Sequence, residues 1–106
     1  MENKKTEQII GLQILHFNVL WAGEYPKQIK AFSSLNLPTD IHVEVKHVDA
    51  LSETELVKKY NVEETPTIIF LFNNLEITRT VGFKNCDYLQ KKINTIVEDY
   101  KSGKLS

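Results

Sequence analysis

Tyr60-Asn-Val-Glu-Glu-Thr-Pro-Thr67 runs straight into Ile68-Ile-Phe-Leu-Phe72, then Asn73-Asn74, then Leu75-Glu-Ile-Thr-Arg-Thr-Val81-Gly82. This stretch decides the fold. Thr67–Phe72 reads as an apolar strand. Asparagine tolerates positive φ, so Asn73-Asn74 suits a tight hairpin turn. Leu75–Val81 then returns as the paired strand and Gly82 ends it. Upstream, Asn61 suits the left-handed position that closes a helix. The reading is helix, proline-led entry, hairpin.

Working outward, Ser52-Glu-Thr-Glu55 has the spacing of a capping box and opens a short helix through Tyr60. Ile41-His-Val-Glu-Val-Lys46 alternates, which marks a strand with one drier face. Leu37–Asp40 is a loop. Glu24–Asn36 reads as a helix with Ile29, Phe32 and Leu35 on one face. Pro26 falls in its first turn, where backbone N–H groups lack intrahelical partners anyway. Ile9–Leu20 reads as a buried strand or a strand with a lead-in. Downstream, Asn85 or Asp87 caps a last helix carrying Leu89, Ile93, Ile96 and Tyr100 at helical spacing.

The order is strand, helix, strand, helix, strand, strand, helix. The strand–helix–strand opening predicts a parallel pair with a right-handed crossover. The hairpin adds an antiparallel pair. The expected α/β fold is therefore a mixed four-stranded sheet flanked by about three helices. Residues 1–8 are polar and read as a flexible N-terminus, 9–100 as the domain, and 101–106 as a tail or linker.

The chain has 106 residues, 42% hydrophobic and 25% charged, with formal net charge −1. That is one domain, able to bury a modest core without staples. The charge balance gives no field favouring nucleic acid or an anionic membrane. No stretch reads as a signal peptide or a bilayer span. The single cysteine, Cys86, excludes an intrachain disulfide and any site needing two thiolates from one chain. His16, His42 and His47 lack metal-ligand spacing, and His42 and His47 point to opposite faces of one strand. His16 reads as a core histidine with a hydrogen-bond partner, since a buried charge is costly.

Three segments in this order resemble the thioredoxin family. Leu15–Lys27 is similar to that family's strand and its Trp-Cys-Gly-Pro-Cys-Lys turn, Tyr60–Thr67 to its Tyr-Gly-Ile-x-x-x-Pro-Thr segment, and Val81-Gly82 to the Val-Gly before the last helix. The resemblance covers about residues 9–100 and implies a thioredoxin-like fold with a cis bond before Pro66. It also implies a short start: the family's extra N-terminal strand and helix are missing or reduced.

The departures fall on the chemistry. Ala22 stands where the family has its nucleophilic cysteine, Tyr25 where it has the resolving one, Glu24 where it has the intervening proline, and His16 where it has a buried acid. Disulfide exchange needs a thiolate attacking a sulfur, so no catalytic residue is expected at the degenerate positions Ala22 and Tyr25. The expectation is a redox-inactive, cofactor-free domain that binds or positions a protein partner. Its groove would comprise Trp21, Gly23, Glu24, Tyr25, Thr65, Pro66, Val81 and Gly82, with Phe83 nearby and Glu63 and Glu64 adding acidic charge.

In character the chain is nearest to the N-terminal thioredoxin-like domain of multidomain monothiol glutaredoxins. That resemblance implies a cytoplasmic or nuclear setting, and a downstream glutaredoxin domain as a partner. Two alternatives stand beside it: a monothiol transferase working through Cys86, and a phosducin-like chaperone or scaffold. No metal, nucleic acid or membrane is expected as a partner.

Overall fold

A strand that has neighbours on both edges and cover on both faces can expose almost nothing. In the computed structural model, which describes residues 11–105, two strands meet that condition. The elements are β1 Gly11–Asn18, α1 Tyr25–Ser33, β2 His42–Asp49, α2 Thr54–Lys59, β3 Thr67–Phe72, β4 Leu75–Val81 and α3 Cys86–Lys101. The sheet order is β2-β1-β3-β4, with β1 parallel to β2 and the other pairs antiparallel. Central β1 and β3 are therefore the apolar runs of the sequence: β3 is buried throughout and β1 is buried except at Gln13. Edge strand β2 keeps the alternation of half-buried valines with exposed polar residues.

Period-two geometry sends alternate side chains into two cores. Leu12, Ile14, Ile68, Phe70 and Phe72 meet Ala31 and Phe32 of α1 and Leu89, Ile93 and Ile96 of α3. On the opposite face Leu15, Phe17, Val48, Ile69 and Leu71 meet Leu56, Val57 and Tyr60 of α2. The fold is thus thioredoxin-like, with α1 and α3 on one face and α2 on the other.

Turn chemistry follows the sequence closely. Asn73 and Asn74 adopt φ of 50° and 73°, and Asn61 adopts 55°. Asn73 also ties the hairpin to the start of β1: its N–H donates to the Gly11 carbonyl at 3.0 Å, and its Oδ1 accepts from the Gly11 N–H at 2.9 Å. Gly11 has φ +132°, and a Cβ there would lie 2.3 Å from the His42 carbonyl oxygen. Only glycine fits that backbone.

Several sequence expectations need correction. The Ser52–Glu55 capping box does not form. Glu53 is the N-cap of α2 and makes no side-chain cap bond. Ser52 Oγ instead donates to Asp49 Oδ2 at 3.0 Å, and the Asp49 N–H donates to Glu53 Oε2 at 3.4 Å. The reason is that β2 runs on past Lys46 to Asp49, so the polar turn begins there. Helix α1 is shorter than the predicted 24–36 and buries Gln28, Ala31 and Phe32, while Ile29 and Leu35 are only half-buried. At the C-terminus α3 includes Lys101, which pairs with Asp40 Oδ2 at 2.6 Å, and Leu105 packs against the α1–α3 core. The boundary expected at residue 101 falls inside that last turn. The flexible stretch 1–8, and Ile9 and Ile10 of the first predicted strand, lie outside the described residues, as does Ser106.

Candidate functional site

Phe17 of β1 is the register partner of Thr67, and Thr67 is the partner of Val81. The turn after β1, Pro66 before β3, and Val81-Gly82 at the close of β4 therefore lie at one end of the sheet. This is how residues far apart in sequence come to share a surface.

Each arm has its own local cause. Asn18 Oδ1 accepts from the Val19 N–H at 2.8 Å and turns the chain out of β1. The Ala22 N–H donates to the Val19 carbonyl at 3.0 Å, and the Tyr25 N–H to the Ala22 carbonyl at 3.1 Å. These two tight turns push Trp21 outward, leaving it 79% exposed, with Leu20 50% exposed beside it. Trp21 is thus a surface side chain rather than a packing one. Ala22 and Tyr25 are half-buried, and Gly23 and Glu24 are exposed.

On the second arm, the Thr65–Pro66 peptide bond is cis. Thr65 is exposed and Pro66 half-buried. Thr67 Oγ1 donates to the Glu64 carbonyl at 2.5 Å, which holds the segment leading into the proline. Glu63 and Glu64 are exposed there. The third arm meets the second directly: the Gly82 N–H donates to the Pro66 carbonyl at 2.8 Å, with Gly82 at φ +93° and Val81 48% exposed.

Beneath Tyr25 lies His16, with no exposure. The two rings stack at 6.1 Å and 11°, and Phe32 packs against the imidazole at 5.1 Å. The tautomers follow from the backbone. Asn18 Oδ1 is occupied by the Val19 N–H, so Asn18 Nδ2 is the atom facing His16 Nε2, at 3.1 Å. Nε2 must accept. The proton then sits on His16 Nδ1 and is donated to His47 Nδ1 at 2.9 Å. Both rings are neutral in this arrangement. Burial first, and then the facing His47 ring, push the His16 imidazole down to about 4. Desolvation lowers His47 in the same direction. The parallel register His16↔His47 brings the two together. Both rings point into the α1 side of the sheet, where each packs against Phe32. Pairing the two strand sequences side by side would have revealed the contact.

Sequence reasoning also missed Gln28, which is fully buried in α1. Its Nε2 donates to the Lys84 carbonyl at 2.8 Å, and its Oε1 accepts from the Lys84 N–H at 3.0 Å. This amide clasp holds the 82–85 loop against α1. The signal was a glutamine one position away from the helix's apolar stripe.

Cys86 is not part of this surface. It is the first residue of α3, half-buried and packed against the α1–α3 core, after an Asn85 cap whose Oδ1 accepts from the Tyr88 N–H at 2.9 Å. Among the described residues, no group of three or more His, Cys, Asp or Glu side chains could hold a metal ion, and no helix is long and apolar enough to cross a membrane.

A four-stranded mixed sheet, a turn-to-helix junction at the end of its first strand, and a proline-led hairpin beside that junction define the thioredoxin fold. The thioredoxin family model matches residues 7–95, and the chain belongs to that family. It is 36% identical over 78 residues to thioredoxin H5 of Oryza sativa subsp. japonica, covering 74% of this chain and 57% of that protein. The chain thus matches little more than half the rice protein's length. It is 31% identical over 86 residues to the thioredoxin of Chlamydia trachomatis serovar D, covering 79% of this chain and 81% of that one. Among solved structures, thioredoxin-2 of the malaria parasite superposes with a TM-score of 0.76 at 20% identity, covering 89% and 99% of the two chains. The Fasciola hepatica thioredoxin superposes at 0.65 with 26% identity, covering 80% of each.

Proposed function

We propose that this thioredoxin-family domain binds or positions a protein partner through the surface formed by Trp21, Gly23, Glu24, Tyr25, Thr65, Pro66, Val81 and Gly82, and carries out no dithiol–disulfide exchange. The observation that carries the reading is the exposure of Trp21 beside positions where Ala22 and Tyr25 offer a methyl and a phenol. An aromatic held in solvent by two backbone turns suits a partner surface. Thr65 is exposed beside Pro66, which suits pairing with an extended peptide. A downstream glutaredoxin-type domain in the cytoplasm is the first partner to try. The half-buried seat of Cys86 in an apolar cluster counts against the thiol transferase reading.

Two measurements test the proposal. Insulin reduction and glutathione exchange should show no turnover above background, and Cys86-dependent turnover would overturn the reading. NMR titration with an array of extended peptides should shift the Trp21, Thr65 and Val81 amides together. Peptide binding that moves only distant residues, or none that moves any, would equally sink it.

A further inference from the structure

Each edge of the sheet has one outward backbone group taken by a side chain at its end. On β4 the Gly82 N–H bonds inward to Pro66. Antiparallel alternation therefore turns the Val81 backbone groups outward. The Lys84 ammonium takes the outward Val81 carbonyl at 3.1 Å. A lysine over an edge carbonyl is a familiar way to blunt a strand.

On β2 the Ala50 N–H bonds inward to the Asn18 carbonyl at 2.9 Å. In a parallel ladder this makes the even-numbered residues of β2 bond to β1 and turns the odd-numbered ones outward. Asp49, the last of these, has its N–H taken by the Glu53 carboxylate. Val43, Val45 and His47 remain, and β2 is an edge strand among the described residues. Their side chains lie on the α1–α3 face, while exposed Glu44 and Lys46 lie together on the α2 face.

We propose that β2 pairs with β2 of a second copy of this chain, antiparallel and centred on Val45. The register follows from bonding and charge together. Centred on Val45, Val45 faces its own counterpart and Val43 faces His47, so each outward N–H meets an outward carbonyl. The intervening non-hydrogen-bonded pair sets Glu44 opposite Lys46 of the second copy, twice by symmetry, at the closest side-chain approach an antiparallel ladder offers. A register centred on Glu44 places two glutamates face to face, and one centred on Lys46 places two lysines there. Registers centred on Val43 or His47 push Lys46 or Glu44 past the end of the opposing strand. Only the Val45 register satisfies both charges. The contact is isologous and closes as a dimer, joining two sheets into one of eight strands.

Sedimentation velocity of the purified chain across the micromolar to millimolar range tests this. A concentration-dependent dimer is expected. Lys46→Glu and Glu44→Lys should each weaken it about tenfold, since each sets like charges opposite twice over. The double reversal Glu44→Lys/Lys46→Glu should restore it. Both positions are exposed, so the monomer fold survives. A monomer at every concentration overturns the proposal, as does a dimer indifferent to the single reversals. Amide exchange gives an independent reading: Val43, Val45 and His47 amides protected in the monomer would mean that another part of the chain covers the edge, which also overturns it.

Discussion

The Nδ1 atoms of His16 and His47 lie 2.9 Å apart, one buried under the turn-to-helix junction and the other at the sheet edge. A single proton lies between them, and Asn18 fixes which ring carries it. Two imidazoles facing through the same atom type tolerate no second proton there without losing the bond.

Stability should therefore fall in acid. In the unfolded chain His16 titrates near 6.5, whereas in the fold it is held down to about 4. Between those values the unfolded state binds more protons, so falling pH favours unfolding. The contribution is complete above about pH 6.5 and is lost by about pH 4, with a magnitude of roughly 3 kcal/mol. Urea midpoints across that window, compared with His16→Leu, check it: the variant should show a flatter profile.

Gln28→Leu should destabilise the domain by about 2–4 kcal/mol, because it strands the Lys84 N–H and carbonyl without partners. The cost would appear in the urea midpoint. Faster amide exchange at Gly82–Asn85 would show that the 82–85 loop has been released. A midpoint change with that loop still protected would mean that the clasp does not hold it.

Thr80→Val should do the reverse. Thr80 is buried, and among the described residues its Oγ1 is the side-chain atom that is buried without a hydrogen bond. Replacing the hydroxyl by a methyl of similar size removes a desolvated polar group and should raise stability by about 1 kcal/mol. Thermal unfolding of the pair is enough to see it.

Trp21→Ala should leave stability within about 0.5 kcal/mol of the parent, as expected for a side chain that is 79% exposed. Any peptide found to bind should bind the variant at least tenfold more weakly, in keeping with the loss expected for a buried interface tryptophan. Calorimetry measures both. A large stability loss would return Trp21 to a packing role.

Introducing cysteines tests whether the Ala22–Tyr25 turn has the geometry of a dithiol site. Ala22→Cys/Tyr25→Cys should gain slow insulin reduction, and neither single variant should. The rate should stay about a hundredfold or more below that of a thioredoxin run alongside, because His16 is neutral and committed to His47, and general acid–base assistance is worth about 10²–10⁴. No gain from the double variant would mean that the turn does not present these positions correctly.

Much of the fold was legible because its signals are local. The unbroken run Thr67–Phe72, the Asn73-Asn74 turn and the alternation along β2 each follow from one backbone period. The capping box was misread because a local pattern competes with its neighbours: once β2 extends to Asp49, Ser52 and Glu53 serve that turn. The candidate site was legible only as a list of positions. Trp21, Pro66 and Gly82 stand out singly, but the exposure of Trp21 depends on backbone turns. The His16–His47 contact depends on strand register, and the Gln28 clasp joins residues 56 apart in the chain. None of these is a property of any one segment.

The reciprocal bonds between Gly11 and Asn73 secure the end of the sheet opposite Trp21, Pro66 and Gly82. Leu75 stands beside that turn and is 68% exposed. In a Cys86→Ser background, Leu75→Cys therefore provides a single attachment point from which the domain can be tethered with its candidate binding end facing solution. A surface coated this way would present every molecule in one orientation.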